Sequence, residues 1–76
     1  MYNYSAPVMM EQILAEVEAI DIDELAYLLK DEYGVEASQS LLRSIAKRAD
    51  VYFSESLDMV FDSEETYKRK AQEWIS

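Results

Sequence analysis

The residues best suited to chemistry lie in the stretch 38–49, Ser-Gln-Ser-Leu-Leu-Arg-Ser-Ile-Ala-Lys-Arg-Ala. It holds three of the chain's 7 basic residues, Arg43, Lys47 and Arg48, and none of its 16 acids. On a helix, spacings of three and four turn Leu41, Leu42, Ile45, Ala46 and Ala49 to one side. Gln39, Ser40, Arg43, Ser44 and Lys47 then occupy the other. A small, polar, basic helix face suits recognition of an anion by charge and hydrogen bonding.

Covalent and acid–base chemistry find little to work with. The chain has no His and no Cys, so the commonest general base and the best nucleophile are missing. Disulfides and structural Cys-zinc sites are excluded too. A single glycine cannot build a phosphate-cradling loop. Asp21/Asp23 and Glu64/Glu65 are paired carboxylates, but each pair stands where helix capping accounts for it. Asp21-Ile22-Asp23 lacks the glycine and distal glutamate of an EF-hand calcium loop. The expectation is a non-enzyme with no metal and no cofactor.

The basic stretch must be held by the elements around it. Ser5 and Pro7 read as the cap and first turn of a helix over 8–20, with Met10, Ile13, Leu14, Val17 and Ile20 as its apolar stripe. Asp21 and Glu24 resemble a capping box for a second helix over 22–33, with Leu25, Leu28 and Leu29 inward. Gly34 follows where a left-handed C-terminal residue belongs. After the turn Val35-Glu36-Ala37, Ser38 caps the third helix. Residues 51–54 and 57–61 read as a hairpin turning at Glu55-Ser56, with Val51, Phe53, Leu57, Met59 and Phe61 inward. Asp62 or Ser63 caps a last helix with Tyr67, Ala71, Trp74 and Ile75 buried. Its pairs Glu64–Lys68 and Glu65–Arg69 are spaced four apart in the favourable order. The fold class expected is mostly α with a small hairpin, in the order α-α-α-β-β-α. Residues 1–76 form one domain, with 1–6 as an N-terminal arm.

Charge is distributed in blocks. Residues 1–36 carry nine acids and one lysine, net −8, and the whole chain carries −9. Such a field repels nucleic acid and anionic membranes and attracts basic proteins. No run of 18 apolar residues is present to span a bilayer, and Met1-Tyr2-Asn3-Tyr4 lacks a signal-peptide pattern. A cytoplasmic location without membrane contact is expected.

Residues 23–61 resemble a winged helix-turn-helix. Leu25-Ala26-Tyr27-Leu28-Leu29 stands for the supporting helix, Tyr33-Gly34-Val35 for the turn, and Ser38-Gln39-Ser40-Leu41-Leu42-Arg43-Ser44-Ile45 for the recognition helix. The resemblance implies Gln39, Ser40 and Arg43 near base edges and Ser44, Lys47 and Arg48 on phosphates. Tyr52, Ser54 and Ser56 would form the wing, with the acids Glu55 and Asp58 in or beside it.

Two functions compete. The first is an acidic interaction module in a regulatory or inhibitory role. It would steer a protein partner through Glu11, Glu16, Glu18, Asp23, Glu24, Asp31 and Glu32. The alternative is sequence-specific DNA binding through Gln39, Ser40, Arg43, Ser44, Lys47 and Arg48. A third reading is self-assembly, with a homodimer through Tyr2, Tyr4, Met9 and Met10. The net charge and the acidic wing favour the first.

Overall fold

A computed structural model describes residues 6–75. Helix α1 spans Ala6–Val17, strand β1 Ala19–Asp21, α2 Ile22–Tyr33 and α3 Gln39–Arg48. Strands β2 (Tyr52–Ser54) and β3 (Met59–Phe61) follow, and α4 (Glu64–Ile75) closes the chain. The protein is mostly helical with a small antiparallel sheet of three strands, in the order β1-β3-β2. This is compatible with a winged-helix-like arrangement.

Local signals start and stop the middle helices. The Asp21 side chain accepts a 2.7 Å hydrogen bond from the Glu24 amide, capping α2. Gly34 ends it at φ 67, where a side chain would strain the backbone, and its amide reaches Lys30 O at 3.2 Å. Ser38 Oγ accepts from the Leu41 amide at 3.1 Å and caps α3.

The first helix is shorter than the periodicity suggests. It stops at Val17, Glu18 turns left-handed at φ 70, and Ala19-Ile20-Asp21 becomes a strand. Asp21 can cap α2 only from extended backbone, so the helix must end before it. Ile20 stays buried, but opposite Val60 in the sheet rather than on a helix stripe. Val17 is half-exposed. The Ser5 cap lies outside the described residues. Ala6, assigned to the arm, is the first residue of α1.

The hairpin also differs from the expectation. Its turn takes four residues, 55–58, and Asp58 adopts φ 55. No glycine is available there, and Asp is among the side chains that tolerate this conformation. The longer turn pairs Phe53 with Val60 and Tyr52 with Phe61. Side chains alternate across a strand, so Ile20, Phe53 and Val60 face the core of α1, α2 and α3. Ala19, Tyr52 and Phe61 face the other way, toward α4. Leu57, expected inward, lies in the turn and is exposed.

The sheet is thus covered on both sides. On the inner side Met10, Ile13, Leu14, Ile22, Leu25, Leu29, Leu42, Ala46 and Val60 are all 3% exposed or less. On the outer side Phe61 packs on Tyr67 edge to face at 5.3 Å, and Tyr52 lies 4.7 Å from Tyr67 between ring centres. Trp74 reaches Phe61 at 6.3 Å but remains half-exposed, against the expectation that it is buried. The expectation for the Ile75 side chain falls outside what is described. Ser63 caps α4 through a 3.1 Å bond from the Thr66 amide.

Candidate functional site

The third helix does not present its polar face freely. Gln39, Arg43 and Lys47 follow one another at intervals of four and form one stripe. Each meets an acid from another element. Gln39 donates to Asp23 at the start of α2. Arg43 donates from Nε to Asp58 Oδ1 and from Nη2 to Oδ2, both at 2.8 Å. Lys47 Nζ lies 3.2 Å from Glu55 and 6.0 Å from the centre of the Phe53 ring. Arg43 Nη2 also donates to Gln39 Oε1 at 3.2 Å, joining the stripe along the helix.

The Arg43–Asp58 pair is the strongest of these contacts. Two parallel bonds match the guanidinium fork to the carboxylate. Hydrogen bonding from Arg43, aided by its charge, holds the Asp58 carboxyl below the usual carboxylate range, and the same bond raises the Arg43 guanidinium. The left-handed backbone at Asp58 ends the four-residue turn, and its carboxylate meets α3.

The other residues of this face are less engaged. Ser40 and Arg48 are exposed and Ser44 is half-buried. Arg48 is the one basic side chain without an ion pair among the described residues. The remaining six all have an acidic partner within 4 Å. Leu41, expected inward, is 51% exposed, whereas its neighbour Leu42 is fully buried. Adjacent positions on a helix point about 100° apart, so with Leu42 turned into the core Leu41 lies off the buried face.

The acids expected to steer a partner fall into two groups. Glu11 and Glu16 on α1, and Glu24, Asp31 and Glu32 on α2, are exposed and have no cationic partner among the described residues. Asp23 is exposed but bonded to Gln39. Glu18 turns toward α4, within 3.4 Å of Arg69 and 3.6 Å of Lys70. Arg69 therefore meets Glu18 rather than the expected Glu65, while Glu64–Lys68 forms at 3.7 Å as expected.

The Tyr/Met surface is not assembled as expected. Met9 is 6% exposed and Met10 fully buried, both in the core. They lie on the same side of α1 as Ile13 and Leu14. Tyr2 and Tyr4 lie outside the described residues. The acids that meet the α3 stripe escape sequence reasoning, because they lie 15, 16 and 8 positions from Arg43, Gln39 and Lys47 and meet them only once α2 and the hairpin turn pack against α3.

No helix among the described residues is long and apolar enough to cross a membrane. No family model, curated protein or solved structure matches this chain.

Proposed function

We propose that this protein is a non-catalytic, acidic interaction module of winged-helix type that binds a basic surface on a protein partner. The helix order, the glycine turn between α2 and α3 and the β1-β3-β2 sheet support the fold assignment. The observation that carries the function is the neutralised stripe on α3. Phosphate contacts supply most nucleic-acid affinity, yet Arg43 and Lys47 are already matched by Asp58 and Glu55. A duplex approaching this face meets those carboxylates as well as the cations, within a domain of net charge −9.

The unmatched charge lies elsewhere. Glu11, Glu16, Glu24, Asp31 and Glu32 have no cationic partner among the described residues, and such groups accelerate encounter with a basic protein. The reading is tested by charge reversal in pairs, Glu24→Lys with Asp31→Lys and Glu11→Lys with Glu16→Lys. Proteins captured by the wild type are then compared for association rate at low salt. At least one pair should slow association by about tenfold or more. Unchanged rates for both pairs would contradict it.

Sequence-specific DNA binding is the second reading. Its support is that α3 carries no acid and leaves Ser40 and Arg48 exposed. It would require Arg43 and Lys47 to exchange Asp58 and Glu55 for the duplex.

A further inference from the structure

We infer that the outward face of α2 around Tyr27 receives an arginine side chain presented by the protein partner. This rests on the reading of the protein as an acidic interaction module, and it names the anchor and the residue type that fills it. Tyr27 is 68% exposed, the most exposed of the large hydrophobic side chains described. It lines three open hollows. One, of about 430 Å³, is shared with Asp21, Asp23 and Glu24, a second, of about 360 Å³, with Lys30 and Asp31, and a third, of about 430 Å³, runs past Lys30 and Glu36 toward Ser38. Asp23 and Asp31 lie four residues to either side of Tyr27, so all three share one side of the helix.

Charge complementarity selects the occupant. Glu24 and Asp31 are exposed without a cationic partner among the described residues, and the single nearby cation, Lys30, is paired with Glu36 at 3.3 Å. An aromatic face flanked by unpaired carboxylates fits a cation with an apolar plane. Guanidinium stacks on a ring and still offers its edge donors to a carboxylate on either side. Ammonium is a compact, strongly hydrated point charge and gains less from the ring. Phosphate-bearing ligands are repelled by the same acids.

The test is an amide NMR titration of the whole chain with short oligoarginine and oligolysine peptides of equal length, at low salt. Oligoarginine should bind several-fold more tightly than oligolysine, with the largest shifts centred on Tyr27. Tyr27→Ala should weaken oligoarginine by about three- to fivefold, and Tyr27→Phe, which keeps the ring, should not. Equal affinities for both peptides, with Tyr27→Ala silent but Glu24→Gln and Asp31→Asn weakening both, would overturn the arginine anchor and leave the acidic module standing. Failure of both peptides to bind would overturn the anchor and count against the module too. Shifts around Tyr27 that appear on concentrating the protein alone would assign the face to a second copy and overturn the inference.

Discussion

Arg43 in the middle of α3 and Asp58 at the end of the β2–β3 turn are joined by two parallel hydrogen bonds of 2.8 Å. The pair ties the hairpin to the helix, and it occupies the residue that a nucleic-acid reader would most need. It also makes stability depend on pH in one direction. Asp58 is held below the usual carboxylate range, so its contribution is present above the unfolded value of about 3.9 and is lost as pH falls through the lower folded value. Thermal unfolding followed by circular dichroism should show a drop below about pH 4 that is shallower in Asp58→Asn than in the wild type. Identical acid limbs would mean that the pair does not hold the hairpin.

The two neighbouring leucines of α3 should behave in opposite ways. Leu42 is fully buried among α1, α2 and the sheet, and Leu41 is 51% exposed. Leu42→Ala should cost about 2–5 kcal/mol, a large fraction of the stability of a protein of this size. Leu41→Ala should stay within about 0.5 kcal/mol of the wild type in urea unfolding. Similar losses at both positions would contradict the orientation of the helix.

Two residues with positive φ make a second contrast. Gly34 has open space where a Cβ would stand, so Gly34→Ala should cost about 1–2 kcal/mol through φ alone. Glu18 carries that cost already at φ 70, and its exposed ion pairs with Arg69 and Lys70 return little. Glu18→Gly should therefore raise stability by about 0.5–1 kcal/mol. Destabilisation by Glu18→Gly would show that the link to α4 outweighs the backbone.

Helix α4 is held on the sheet by rings. Tyr67 touches both Tyr52 and Phe61, and Trp74 approaches Phe61. Tyr67→Ala should loosen the helix and shift Trp74 fluorescence to the red, with a loss of about 2–3 kcal/mol from the missing aromatic contacts. An unchanged emission maximum would mean that α4 docks by other contacts.

The caps of α2 and α3 were legible in the sequence because both partners lie within one turn, as Asp21 with Glu24 and Ser38 with Leu41. Leu14, Leu25, Leu29 and Leu42 followed from the same short-range periodicity, whereas Leu41 and Leu57, expected inward on the same grounds, are exposed. Strand β1 was not legible. Its three residues continue the helical spacing of α1, and they become a strand only because Ile20 meets Val60, forty positions later. The burial of Phe61 and Val60 side by side was hidden for the same reason, since alternation assigns one face to the core and α4 supplies a second. The α3 face read as basic because its neutralising acids, Asp58 and Glu55, arrive from a turn whose length local patterns did not fix.

The most direct measurement is an amide NMR titration of the protein with random-sequence duplex DNA at low salt. Non-specific affinity for DNA-binding proteins is on the order of 10⁻⁴–10⁻⁶ M even at physiological salt, well within reach of such a titration. If Asp58 and Glu55 neutralise the α3 stripe in solution, residues 38–48 and 52–58 should show no saturating shifts. Saturating shifts confined to those residues would make α3 a nucleic-acid reader and contradict the account.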